Sequence, residues 1–169
     1  MPTATFRLLY VFVVLTHERR LVVHFNVTDG PPARFTGQQI IHAFPYNEAP
    51  RLLLRDRDAI YGREFGGRVC SMGIEQVLSA PRSPWQNLYV ERVIGSIRRE
   101  CLDHVIVLNE QHLRRILREY FDYYTNARTH LSLAKDTPTR RVVEADDGGE
   151  VIALPMVGGL HHRYSRRAA

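Results

Sequence analysis

Cysteine, lysine and long hydrophobic runs are all scarce in this chain of 169 residues. The two cysteines, Cys70 and Cys101, form no C-x-x-C pair, which argues against a disulfide framework and against a cysteine-based zinc site. Each lies in an apolar helical pattern, so we expect two buried free thiols in a reducing cytoplasm. The histidine pair at 161 and 162 is a weak metal site, because neighbouring side chains point in different directions.

The longest apolar run, residues 8–15, has only eight residues. A membrane-spanning helix needs about 20 residues, and no small-residue cleavage site follows this run, so we expect neither a membrane span nor a signal peptide. A short run rich in valine and aromatic residues is typical of a strand buried on both faces. We therefore predict a hairpin over residues 6–28, with its turn at 16–20.

Lysine occurs once, at Lys135, so nearly all of the positive charge is arginine. The formal net charge of +5 suits a polyanionic partner without proving one. The arginine fork matches phosphate groups and base edges, but a preference for arginine over lysine can equally reflect genome composition.

The rest of the chain alternates helical and strand patterns. We predict helices over residues 36–44, capped by Thr36, and 63–72, and strands over 52–54 and 75–78. At 44% hydrophobic residues the chain can bury one core, and the alternation predicts an α/β domain followed by a tail.

Two acids occupy positions that suggest a shared site. The predicted strand at 52–54 leads into Asp56, and a proline-punctuated loop from Ser79 opens into a helix with Glu91 in its first turn. Carboxylates brought together from distant parts of a chain are how oxygen ligands for Mg²⁺ are assembled. A first-turn acid is also favourable to the helix dipole, so Glu91 could instead be an ordinary solvated residue.

Two helices are predicted in this second half of the chain, with Asn87 and Asn109 as their caps. The helix after Asn109 has a clean amphipathic stripe, and we expect the following residues to be buried: Leu113, Ile116, Leu117, Tyr120, Phe121 and Tyr124. On the opposite face we expect Arg114, Arg115 and Arg118, which could be solvated or could contact DNA.

Four stretches and a dipeptide together resemble the integrase core of bacterial insertion-sequence transposases, relatives of retroviral integrases with the ribonuclease-H-like fold. They are RDRDAIYG, SAPRSPWQN, YVERVIGSIRRECLDH, YFDYYTNARTHLSL and Thr137-Pro138, and they occur in that order along nearly the whole chain. The resemblance implies a mixed sheet flanked by helices, with a catalytic core over residues 1–135. Residues 136–169 would form a C-terminal tail that could fold as a small hairpin.

The resemblance also implies a chemistry. Three acids in that family bind two divalent ions, Mg²⁺ or Mn²⁺, and the second and third acids fall on Asp56 and Glu91. Arg98 would hold a phosphate or a base of the DNA, with Arg92 and Arg99 as further DNA-binding candidates. The reaction implied is DNA integration by strand transfer between element ends and a target. The partners implied are DNA and either further copies or a full-length transposase, in the bacterial cytoplasm near the nucleoid.

The first acid of the family, however, has no counterpart here, because no acid precedes Glu18. Residues 2–5 resemble only the end of the first strand, so we expect that central strand to be largely missing between residues 8–15 and 52–54, together with one metal ligand. Asp58, which stands where the family usually has glycine, and Asp29 are weak substitutes for the missing acid.

Three functions remain open from the sequence. The first is a transposase core whose strand transfer is impaired by the missing acid. The second is a non-catalytic DNA-binding or regulatory fragment of a mobile-element transposase. The third is a nuclease acting on RNA–DNA hybrids, which the fold alone would permit.

Overall fold

A computed structural model of the chain describes residues 1–45, 48–144 and 148–167. Ten helices and strands order these residues: β1 (Tyr10–Leu15), β2 (Val22–Thr28), α1 (Ala33–Ala43), β3 (Leu52–Arg55), α2 (Arg63–Ser71), β4 (Glu75–Leu78), α3 (Leu88–Glu100), α4 (Glu110–Asn126), β5 (Val151–Met156) and β6 (His161–Arg166). The α/β class predicted from the alternating patterns is confirmed. None of the described helices has the length and apolarity required to cross a membrane.

The described strands pair two by two. Antiparallel pairing joins β1 to β2, as the predicted hairpin requires, while β3 and β4 pair in parallel and β5 and β6 pair antiparallel. Both strand directions therefore occur, as in a mixed sheet. Within the described ranges, however, β1 and β3 do not pair with each other, so the sheet is divided at this point.

Two hydrophobic cores lie on either side of β1. The first core lies between the β1–β2 hairpin, α3 and α4; Val11 and Val13 of β1 pack against it. The second core contains Val14 of β1 and residues of α1 and α2, and Phe12 packs against it. Alternate residues of a strand point to opposite faces. Because β1 is apolar at every position, its side chains can pack into both cores.

The amphipathic stripe predicted for α4 is confirmed, since all six of its residues are buried in the first core. The predicted cap is confirmed as well, because the Asn109 side chain accepts a hydrogen bond from the His112 backbone N–H at 2.8 Å. Asn87 also lies at the N-cap position of α3, but no hydrogen bond from the helix reaches its side chain. A 3₁₀ turn over Pro84–Asn87 leads directly into α3 instead.

Two predictions about the α1–α2 region were wrong. Thr36 does not cap α1, which begins three residues earlier, after Pro32; the Thr36 hydroxyl instead donates to the Ile60 carbonyl at 3.0 Å. Cys70 is exposed rather than buried, although Cys101 is buried as expected. The neighbouring Val69 takes the core-facing position on α2, and this turns Cys70 outward.

The tail forms a hairpin, β5–β6, that contacts the α3–α4 layer. Val157, between its strands, is buried in the first core. The ring of His161 stacks on Tyr123 of α4 at 4.3 Å, and its Nε2 lies 2.7 Å from the Glu100 carbonyl oxygen of α3. His161 therefore has a packing role, and the hairpin straps the two helices together.

Candidate active site

Asp56 is held in a tight turn directly after β3. Its Oδ1 accepts a hydrogen bond from the Asp58 backbone N–H at 3.1 Å, and Asp58 Oδ1 accepts one from Ile60 N–H at 3.0 Å. Aspartate side chains that accept bonds from the backbone two residues later stabilise such turns. Asp58 thus shapes the turn through its side chain, where a glycine would rely on backbone freedom. Both aspartates are exposed.

Tyr61 and Arg55 pack beneath this turn. Burial raises the pKa of Tyr61 to about 12, and the negative charge of Asp56 adds to the shift. The Arg55 guanidinium lies 5.0 Å from the centre of the Tyr61 ring, and its Nε donates to Gln76 of β4 at 2.9 Å. Tyr61 therefore stays protonated at neutral pH, and Arg55 ties the turn to both strands of the β3–β4 pair.

The loop that leads to Glu91 starts beside the same turn. The Ser79 backbone N–H donates to the Arg55 carbonyl at 3.0 Å, and Arg57 Nε donates to the Ser79 carbonyl at 3.0 Å. Within the loop, Gln86 accepts a hydrogen bond from the Ala80 N–H at 2.6 Å. These bonds fix the first part of the proline-rich loop against the residues that flank Asp56.

Glu91 lies in the first turn of α3 and is exposed. A cleft of about 550 Å³ runs between the two regions, and its lining includes Arg55 and Tyr61 on one side and Asn87 and Val90 on the other. The immediate neighbours of both predicted catalytic acids therefore line one cleft. A direct meeting of the two carboxylates over metal ions stays a prediction.

The two acids fit a divalent metal ion in kind, because Mg²⁺ and Mn²⁺ prefer carboxylate oxygens. Two acids, however, are one fewer than the three metal-binding acids that the resemblance implies. No group of three or more His, Cys, Asp or Glu side chains suited to a metal occurs among residues 1–45, 48–144 and 148–167. Asp29 is engaged elsewhere, in an exposed ion pair with Arg7.

The three arginines predicted to bind DNA, Arg92, Arg98 and Arg99, are all exposed on α3. Arg98 lies close enough to the Met1 amino group to lower its pKa, after burial, which has the larger effect. Arg99 folds back over Gly95, where an added Cβ would lie 2.9 Å from a guanidinium nitrogen. The exposed charge that DNA binding requires is present, and contact with DNA itself stays a prediction.

The arginines of α4 do not all lie on a solvated face. Arg115 and Arg118 are exposed, but Arg114 is half-buried and donates hydrogen bonds to the Asn26 side chain and the Val27 carbonyl of β2. Arg114 therefore joins α4 to the hairpin, and the prediction that all three face solvent or DNA was wrong for this one.

A half-buried polar network was missed in the sequence. Glu100, at the end of α3, accepts hydrogen bonds from Arg128 at 2.6 and 2.8 Å and from the Tyr120 hydroxyl at 2.9 Å. Burial raises the pKa of Glu100, but the bonds from Arg128 and Tyr120 outweigh it and hold the pKa below its usual value. Arg128 also lies 3.1 Å from Nδ1 of the buried His130. This network fixes α3, and with it Glu91, against α4.

Comparison with known proteins gives one family match and one relative. Residues 72–138 match the family model described as the integrase core domain, a segment that contains Glu91 but not Asp56. The uncharacterized 39.2 kDa protein of insertion element IS476 from Xanthomonas euvesicatoria is 25% identical over 174 residues. That match covers 95% of this chain and 50% of the relative, so the chain spans about half the length of this curated relative.

The fold has a solved counterpart. A chain in the cryo-EM structure of the simian T-cell lymphotropic virus intasome in complex with PP2A regulatory subunit B56 gamma superposes with a TM-score of 0.63. The match covers 97% of this chain and 62% of that chain at 16% identity, so it shows a shared fold alone. The family match and the shared fold together support an integrase-like core.

Proposed function

We propose that this chain is the core of a transposase that integrates DNA by metal-dependent strand transfer, and that the chain as given has little or no such activity. One observation carries the proposal. The Asp56 turn is hydrogen-bonded to the start of the loop that leads to Glu91, and the neighbours of both acids line one cleft.

In the proposed site, Asp56 and Glu91 are the residues that would hold Mg²⁺ or Mn²⁺. Such ions, when bound, would stabilise the negative charge that develops during phosphodiester exchange. Arg98 positions a phosphate or base of the DNA, and Arg92 and Arg99 support it from the same helix. The turn and the proline-rich loop hold the two acids in place without moving a proton themselves.

The proposed impairment has two parts. Residues 1–17 contain no acid, so the site lacks the third carboxylate that the resemblance implies. In the described part of the chain, β1 pairs only with β2 and β3 only with β4, which supports the proposal that the first strand of the resemblance has no counterpart between β1 and β3. The missing acid would remove a metal ligand. The missing strand would leave β3, which leads directly into Asp56, paired along one edge only.

The proposed partners follow from the same site. A net charge of +5 and exposed arginines on α3 suit the phosphates of element ends and target DNA. Further copies of the chain or a full-length transposase would complete the complex, in the bacterial cytoplasm in association with the nucleoid.

A second candidate is a non-catalytic DNA-binding or regulatory role within transposition. The absence of a three-acid cluster among the described residues favours it. A nuclease acting on RNA–DNA hybrids has less support, because the matched family is that of an integrase core.

The test measures DNA joining and DNA binding with the same proteins. Purified chain is mixed with Mg²⁺ or Mn²⁺, a labelled duplex carrying the ends of its element, and a supercoiled target plasmid. We expect almost no joined product but salt-dependent binding of the duplex. Arg98→Ala should reduce the slope of log affinity against log salt by about 1. Arg34→Ala, which removes an exposed arginine of α1, is the matched control.

The outcomes separate the candidates. Robust joining that disappears in Asp56→Asn and Glu91→Gln would contradict the impairment and support the two acids as catalytic. Binding that is unchanged in both acid variants but weakened in Arg98→Ala would favour the regulatory role. Joining that survives the loss of both acids would contradict the proposed site itself.

A further inference from the structure

The single tryptophan of the chain projects into solvent. Trp85 lies in the 3₁₀ turn Pro84–Asn87 that leads into α3, and its side chain is 67% exposed. Within the described ranges it is a member of neither hydrophobic core. Tryptophan is the largest side chain and is highly buried on average in soluble proteins. Packing of the fold therefore does not account for a tryptophan at this position.

The backbone that carries this tryptophan is held by short-range hydrogen bonds. The Gln86 N–H donates to the Ser83 carbonyl at 3.1 Å, and the Gln86 side chain accepts from the Ala80 N–H at 2.6 Å. The Ser83 N–H donates to the Ala80 carbonyl at 3.2 Å. Pro81 and Pro84 fix their own φ angles. A side chain on such a turn is already placed for binding, so little entropy is lost when a ligand contacts it.

The face of α3 that continues from this turn is positively charged. Leu88 follows Trp85 by three residues, and Arg92 and Arg99 follow Leu88 by four and eleven, a spacing that places them along one side of successive turns. Leu88 is 52% exposed, and both arginines are exposed. Residues 79–99 contain four arginines and one acid, Glu91. An aromatic side chain therefore lies at the start of a row of arginines.

A nucleic acid strand with unpaired bases matches this row in charge and in shape. Its phosphates suit arginine, and each of its bases has a π face that can stack on an aromatic ring. A base inside a duplex has both faces covered by its neighbours, so only an unpaired or terminal base offers a free face to an indole. An apolar segment of polypeptide is a poorer match, because covering the row would remove the arginine charges from water without pairing them.

We propose that Trp85 stacks on an unpaired base of the DNA and that Arg92 and Arg99 hold the adjoining phosphates. Glu91 follows Trp85 by six residues, and the loop before Trp85 is hydrogen-bonded to the residues that flank Asp56. Stacking therefore positions a strand beside both acids. The inference rests on the proposed function, since it takes DNA as the partner, and it adds a preference for DNA with unpaired bases. Stacking requires neither metal nor joining, so the two proposals can fail separately.

The test uses the full chain without divalent metal and three forms of one short DNA duplex. The first form has blunt ends, the second has an overhang of three adenines, and the third has the same overhang built from abasic sugars, which keep the phosphates and lack the bases. Because Trp85 is the only tryptophan, all tryptophan fluorescence of the protein comes from it. We expect the adenine overhang to quench this fluorescence and the abasic overhang to leave it nearly unchanged. In anisotropy measurements on labelled copies, the adenine form should bind about tenfold more tightly than the abasic form.

Variants separate stacking from charge. Trp85→Ala should abolish the preference for the adenine form and change the affinity for the blunt duplex by less than about twofold, whereas Trp85→Phe, which keeps an aromatic face, should retain part of the preference. Tyr164→Ala is the matched control, because it removes an aromatic side chain of β6 that is 57% exposed, and it should keep the full preference. Arg98→Ala should lower the salt dependence for all three duplexes and keep the preference. Circular dichroism checks that each variant is folded.

Four outcomes would overturn the inference. They are fluorescence that does not change with the adenine form, equal affinity for the adenine and abasic forms, a preference that persists in Trp85→Ala, and an equal loss of preference in Tyr164→Ala. If the blunt duplex still binds in these cases, the proposed DNA-binding function stands without the stacking residue. If none of the three duplexes binds, both proposals are wrong. A fluorescence change that grows with protein concentration in the absence of DNA would assign Trp85 to a contact between copies and would also overturn the inference.

Discussion

The first and second cores differ in how completely they are closed. The first core has a full amphipathic helix, α4, across it and a half-buried Glu100–Arg128 ion pair at its edge. Among the described residues the second core has only five buried members, and it opens into the cleft that is lined by residues of β1 and β3. Glu91 is attached to the well-packed half through α3, and Asp56 to the less packed half through β3. The two proposed metal ligands therefore rest on supports of unequal rigidity.

The largest expected effect is on the free energy of unfolding, and it is found by substituting one leucine from each core. Leu117 is fully buried in the first core, whereas Leu53 is only partly buried and packs against the second. Leu117→Ala should lower the free energy of unfolding by about 3–4 kcal/mol, because removed methyl groups leave a cavity in a closed core. Leu53→Ala should cost only about 1 kcal/mol, since its surroundings are already open.

Urea denaturation followed by circular dichroism measures both values. Equal costs for the two substitutions would mean that the second core is as closed as the first, and the comparison between them would fail.

A smaller effect is expected at the edge of the first core. Glu100→Ala removes the acceptor for Arg128 and Tyr120 and leaves a guanidinium that is only 25% exposed without its carboxylate. We expect a loss of about 2–3 kcal/mol in unfolding free energy. Glu100→Gln keeps an acceptor oxygen and should cost less. Glu119→Ala, at an exposed position of α4, is the control, and a cost as large as that of Glu100→Ala would show that the network contributes nothing specific.

The elements around the first core were also the ones that the sequence predicted best. The 3.6-residue period of α4 and its Asn109 cap are local signals, and the structure agrees with both. The β1–β2 hairpin followed from an apolar run and a polar turn. The segment containing Asp56 was recognised from its motif, but whether its carboxylate meets that of Glu91 depends on tertiary placement that no local pattern encodes.

The charged contacts that the sequence did not predict have a shared physical cause. Arg19 in the hairpin turn donates to the Asp136 side chain at 2.6 Å and to the Pro138 carbonyl at 2.8 Å, more than 110 positions away. Arg114 and Glu100 are likewise charged residues whose partners are distant in sequence. From the sequence, a charged side chain is expected to be exposed to solvent. It becomes buried only when the fold brings a partner close to it, and such a partner is not visible in the local sequence.

The smallest expected effect is a dependence of the unfolding free energy on pH that arises at His130. Its Nε2 lies 3.3 Å from the Tyr124 carbonyl, and its Nδ1 lies 3.1 Å from the Arg128 guanidinium. Nδ1 must therefore accept a hydrogen bond and stay unprotonated. Burial lowers the pKa of His130, and the charge of Arg128 lowers it further, against the opposing effect of the Tyr124 carbonyl.

Because the folded-state pKa of His130 lies below the unfolded value of about 6.5, the unfolded chain takes up the proton first as the pH falls. The contribution of His130 to stability is complete above about pH 6.5 and is lost below it, at no more than about 1.4 kcal/mol per pH unit. Urea titrations between pH 7 and 5 should show a shallower loss for His130→Gln than for the unsubstituted chain. His162→Asn, at an exposed position, should follow the unsubstituted chain. A slope that is unchanged in His130→Gln would mean that His130 is protonated in the folded first core, which the two hydrogen bonds of its ring argue against.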